Sequence, residues 1–137
     1  MANFHRGELE IELQGPNGPE KYTLRLTFNT FCEIEERTRK PIFDIIYAMS
    51  QRKVPTLADM TAIIWSGIRG GFEDRGSDKR QALSFEGTGE RVMRTGVASL
   101  MGPLLIFLHK GLATDEQIAE AEQKAKKDLP SVEAKTA

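Results

Sequence analysis

The sequence predicts an α+β fold, with an N-terminal two-stranded antiparallel β-hairpin packed on a bundle of about five α-helices. Three observations point there. Two short runs near the N-terminus alternate apolar and polar residues around a dense turn signal. The period of the pattern then changes from that of a strand to that of a helix near Asn29-Thr30. From there to Leu108, apolar residues recur in helical stripes.

The first run, GELEIEL, puts Leu9, Ile11 and Leu13 on one face and Glu8, Glu10 and Glu12 on the other. The second, KYTLRLTF, puts Tyr22, Leu24, Leu26 and Phe28 on one face and Lys21, Thr23, Arg25 and Thr27 on the other. Between them QGPNGPE marks a turn, so residues 6–28 read as a hairpin with one wet face. Glutamates on one strand face Lys and Arg on the next, which favours antiparallel pairing by a few tenths to about 1 kcal/mol per pair. An isolated hairpin is marginal, so its apolar face must lie on the helices that follow.

Thr30 and Glu33 have the spacing of a capping box, opening a helix over about 30–39 with Phe31, Ile34 and Thr38 inward. Pro41 suits the first position of a second helix, over 42–52, whose stripe is Ile42, Ile45, Ile46 and Met49. Pro55 and Thr56 open a third, over 56–69, carrying Leu57, Met60, Ile63, Ile64 and Ile68 and stopping at Gly70-Gly71. Residues 70–88 read as a loop, with a single helical turn near Asp78–Leu83. Helices over 89–101 and 103–110 follow, separated at Gly102-Pro103. Val92, Met93, Gly96, Val97, Leu100 and Met101 form the stripe of the first of these. Residues 1–112 are thus expected to form a single α+β domain, and residues 113–137 a polar C-terminal helix capped by Thr114 and a disordered tail.

Bulk properties narrow the function. The chain has 137 residues, 39% hydrophobic and 28% charged, with a net charge of −1. A phosphate-backbone footprint is not expected from such a balance, so nucleic acid is not an expected partner. The longest apolar run, PLLIFL, is too short to span a bilayer, and MANFHRGELE has no apolar signal core; a membrane is not expected either. A single cysteine permits no internal disulfide and suits a reducing, cytoplasmic compartment.

The chemistry-bearing residues are sparse. Cys32 lies among Glu33, Glu35 and Glu36, but zinc sites want Cys and His at close spacing, and the two histidines, His5 and His109, are distant in sequence. A nucleophilic Cys32 would need His109 brought to it by the fold. GIRGGFEDRG is glycine-rich, yet it lacks the Lys-Ser/Thr ending of a phosphate loop. Arg69 and Arg75 remain candidates for a phosphate or an acidic partner. Asp44 and Asp59 stand alone on their helices. No catalytic residue, metal or cofactor is expected. Trp65, Phe72 and Phe85 are the aromatic side chains for which core and partner contacts are both open.

Several of these segments together resemble a known family. They are Arg6-Gly7-Glu8 opening the first strand, Leu24 to Asn29 at the end of the second, and Glu33 to Glu35. Leu57 to Asp59 and Ser66 to Arg69 bracket the third helix, and TGVASLMGPLLIFLHKGL comes later. Over residues 6–112 the chain resembles the small tail-assembly proteins of long-tailed bacteriophages and gene transfer agents. The resemblance implies a non-catalytic tail assembly chaperone that binds the tape-measure protein, the tail tube protein or both. It further implies action in the bacterial host cytoplasm and absence from mature particles. The long polar loop and the lysine-rich terminal helix depart from the family's pattern. A partner surface is expected on Trp65, Phe72, Val97, Leu100, Met101, Leu104, Leu105, Phe107 and Leu108, with core packing of that stripe as the alternative reading; self-association is compatible with it. The competing readings are a structural tail component kept in the particle, and a ligand-binding domain or enzyme using Cys32 and His109.

Overall fold

A computed structural model describes residues 8–74, 76 and 82–112. Strands β1 (Glu8–Gly15) and β2 (Gly18–Arg25) form an antiparallel hairpin, followed by helices α1 (Phe28–Thr38), α2 (Ile42–Ser50), α3 (Leu57–Asp74), α4 (Phe85–Thr95) and α5 (Val97–Leu112). The predicted α+β class and the hairpin-then-helices order are what the structure shows. The terminal helix expected after Thr114 lies outside the described residues, as does most of the turn expected near Asp78–Leu83.

The hairpin is tighter than QGPNGPE suggests. The strands run to Gly15 and from Gly18, leaving Pro16-Asn17 as the loop, and Glu8 lies opposite Arg25, Leu9 opposite Leu24 and Ile11 opposite Tyr22. Ile11, Leu13, Leu24 and Leu26 are buried. On the wet face Arg25 meets Glu8 at 3.6 Å, and Lys21 meets Glu10 at 4.0 Å. The second pair is largely solvated and contributes little.

The expected strand residue Phe28 begins α1 instead and is 81% exposed. Thr27, not Thr30, is the N-cap: its hydroxyl accepts from the Thr30 backbone N–H at 3.1 Å. Thr30 is buried, its hydroxyl aimed at the Ser66 carbonyl. In α2 the stripe Ile42, Ile45, Ile46 and Met49 is buried as its spacing requires. Pro41 stands at the N-cap, one position before that predicted, and the Glu35 side chain of α1 accepts from the Ile42 N–H at 3.0 Å. Thr56 caps α3 through Asp59 at 3.1 Å, as its sequence indicates.

Three boundaries move substantially. Helix α3 continues through Gly70-Gly71 to Asp74. A Cβ at Gly70 would stand 2.2 Å from the Arg25 carbonyl oxygen and 2.3 Å from the Thr30 hydroxyl; one at Gly71 would stand 2.7 Å from the Thr23 carbonyl. The glycines let the helix lie against the β2 backbone. Helix α4 starts at Phe85, where Ser84 accepts from the Gly87 N–H at 3.0 Å, so Phe85 is helical rather than looped. The break between the last two helices falls at Gly96, not at Gly102-Pro103. Gly96 takes φ +98, a left-handed value that glycine adopts without steric cost, and the two helix axes bend by 115° there. Pro103 lies inside α5.

The core is the apolar face of the hairpin closed by α3, α4 and α5, with α1 packed on α3 and α2 on α5. Leu13, Leu24, Ile34, Ile63, Ile64, Leu104, Phe107 and Leu108 are fully buried in it.

Candidate functional site

The bend at Gly96 decides the fate of the expected partner surface. It turns α5 back against α2 and the hairpin, and Leu100, Leu104, Phe107 and Leu108 become core. Val97, Met101, Leu105 and Phe72 are partly buried against that core. Leu100, Leu104, Phe107 and Leu108, expected on a partner surface, thus take the alternative role of core packing, and most of the apolar stripe closes the fold. Trp65, alone of the nine expected positions, is neither in the core nor packed on it.

Other apolar side chains are left in solvent. Phe43 and Tyr47 are 65% and 68% exposed, one turn apart on the outer face of α2. The signal was present in IFDIIYAMS, since assigning Ile42, Ile45, Ile46 and Met49 to the core leaves Phe43 and Tyr47 as an i, i+4 pair on the opposite side. Met93 and Ile106 are also exposed. An apolar pocket of about 290 Å³ opens between the end of β2, the start of α1 and the end of α5, lined by Leu26, Thr27, Phe28, Phe31 and Gly111.

Around Trp65 three helices meet. Phe85 of α4 stands edge-on to the Trp65 ring, centroids 5.6 Å apart at 79°. The Arg37 guanidinium of α1 lies 4.4 Å from the Trp65 centroid and 4.5 Å from that of Phe85. Arg69, one turn after Trp65, lies 4.6 Å from the same indole, and its Nε reaches Glu33 at 3.3 Å. Each cation–ring contact contributes about 0.5–1 kcal/mol at such exposed positions. Arg75, the other arginine singled out in the glycine-rich segment, lies outside the described residues.

Polar contacts fasten the hairpin tip to α4. The Glu20 carboxylate accepts from Arg91 Nε at 2.6 Å and from the Tyr22 hydroxyl at 2.5 Å. The Arg91 bond, then the Tyr22 bond, hold the Glu20 carboxyl below its ordinary value. Burial, then the bond to Glu20, push the Tyr22 phenol up. Thr95 accepts from the Gln14 backbone N–H at 2.8 Å.

Cys32 and His109 are both exposed, on α1 and near the end of α5, and no hydrogen bond joins them among the described residues. Among those residues no three His, Cys, Asp or Glu side chains come together as metal ligands. No single described helix is long and apolar enough to cross a membrane. What the arrangement offers is aromatic and aliphatic contact area on a helical frame.

Residues 6–102 match the family model described as phage tail tube protein, GTA-gp10. The chain belongs to this family. Comparison with curated proteins and with solved structures returns no match. As a phage tail tube family member the protein has a role in the phage tail, within a family that is generally structural rather than enzymatic. The match takes in the hairpin, the Phe43/Tyr47 face and the Trp65 cluster, and ends inside α5, before Gly111 of the pocket.

Proposed function

We propose that this protein is a non-catalytic tail assembly chaperone. It binds the tape-measure protein, the tail tube protein or both while the long tail is built in the bacterial host cytoplasm, and it is left out of the mature particle. The observation that carries this reading is the set of aromatic side chains left in solvent, Phe43 and Tyr47 on α2 above all. Paired one turn apart, they are the kind of anchor a helix presents to an apolar groove of a partner. Aromatic anchors dominate binding energy in such contacts. Co-expression with the tape-measure and tube proteins of its own genome, followed by capture and mass spectrometry of both complex and mature particles, tests it. A soluble complex and absence from particles are the expected result. The Phe43→Ala/Tyr47→Ala double variant is expected to lose most of the captured partner while unfolding at the wild-type temperature.

A second reading is supported by the family's description as a tail tube protein: a structural component retained in the particle, where the same aromatic face meets further copies of the chain. Stoichiometric presence in purified particles, with ring-like self-assembly of the isolated protein, would establish that reading and end the chaperone one.

A further inference from the structure

We infer that the corner formed by Trp65 and Phe85 holds Arg37 ready to take a carboxylate from an Asp or Glu side chain of a protein partner, an inference that rests on the reading of this chain as a binding protein of tail assembly. Arg37 is exposed, yet its guanidinium lies within 4.5 Å of two aromatic centroids. Contact with rings restrains the side chain and engages its charge, but it leaves hydrogen-bonding N–H groups unused.

The other cations around the core differ. Arg25 meets Glu8, Lys40 meets Asp59, Arg69 meets Glu33 and Arg91 meets Glu20. Arg37 makes no hydrogen bond or ion pair among the described residues, although Glu33 is four positions before it on the same helix; that carboxylate goes to Arg69. Glu36 and Glu86, sequence neighbours of Arg37 and Phe85, form no ion pair with it among those residues either. Arg39, Arg52 and Arg94 lack a described carboxylate too, but no ring holds them.

A guanidinium already restrained in this way loses less freedom on binding than a solvated one, and its planar fork matches a carboxylate in two parallel hydrogen bonds. Phosphate chains fit less well. A nucleic-acid backbone wants several cations in a row, whereas here the second arginine of the corner is neutralised by Glu33 and the whole chain carries a net charge of −1.

The test uses the full chain as wild type, Arg37→Gln and Arg37→Lys, each captured with the co-expressed tape-measure or tube protein of its genome. Arg37→Gln is expected to weaken the complex by at least about tenfold. Arg37→Lys, which keeps the charge but not the fork, is expected to lose nearly as much. Added salt is expected to loosen the wild-type complex and to leave the residual Arg37→Gln complex much less affected. Far-ultraviolet circular dichroism and the unfolding temperature check that each variant is folded. Folded Arg37→Gln or Arg37→Lys protein that binds as tightly as wild type overturns the inference and leaves the chaperone reading standing. Capture of neither protein by the wild type overturns both.

Discussion

In α3 the pair Gly70-Gly71 sits inside a helix that runs on to Asp74; in α5 the pair Gly102-Pro103 sits inside a helix that runs on to Leu112. Both pairs read locally as the end of a helix, and neither ends one. The reasons differ. At Gly70 and Gly71 any side chain would strike the carbonyls of β2, so glycine is what allows α3 to approach the hairpin. At Gly102 a Cβ would meet nothing within 4 Å, so that glycine serves no packing purpose in the fold. There the helix survives its proline because Leu104, Phe107 and Leu108, the residues just beyond it, are buried. A helix-breaking residue costs about 1 kcal/mol for glycine and about 3 for proline. Burying a large apolar side chain contributes about 1.5–3 kcal/mol, so three of them outweigh the break.

That contrast can be broken by substitution. Phe107→Ala is expected to cost about 3–5 kcal/mol, the largest effect, because a fully buried ring leaves a cavity among Gly67 and the hairpin. Denaturant unfolding measures it, and amide exchange is expected to rise most between Pro103 and Leu112. A loss below about 1 kcal/mol would mean that burial is not what carries α5 past its proline. Gly70→Ala is expected to destabilise by about 1–3 kcal/mol, toward the upper end because one of the atoms struck is backbone and cannot rotate away.

Gly102→Ala is expected to have the opposite sign, stabilising by about 0.5–1 kcal/mol, since it removes backbone freedom from the unfolded chain and adds a helix former in open space. Thermal unfolding of the two alanine variants side by side sharpens the comparison; the same direction of change in both would refute it. The smallest effect concerns the polar tie from the hairpin to α4. Glu20 titrates below its ordinary 4.5 in the folded state, so its contribution is complete above that pH and is lost as pH falls through the lowered value. Glu20→Gln is expected to show a shallower loss of stability over that acid window, with little difference in slope between pH 6 and 8.

Much of the architecture is legible in the sequence itself. The alternation of Leu9, Ile11 and Leu13 against three glutamates could serve only a half-buried strand. Ile42, Ile45, Ile46 and Met49 could share only one face of a helix, and Thr56 three residues before Asp59 was a cap wherever the chain went. Boundaries were less legible because they depend on competition. Thr27 and Thr30 are both good caps, and what selects Thr27 is that Thr30 is needed inside, facing Ser66 of α3. Phe43 and Tyr47 were legible by subtraction. The Arg37 corner was not, because its side chains come from three helices, 48 positions apart from Arg37 to Phe85, and no local period records their meeting.

Period, turn residues and caps are local, and the chain's hairpin, its helices and their inward faces follow from them. Whether an apolar stripe covers the core or waits for a partner is not local. In the second helical block it depends on the 115° bend at Gly96, which lays α5 with its buried Leu104, Phe107 and Leu108 against the hairpin. Burial is a property of what lies opposite a residue, and what lies opposite comes from distant parts of the chain.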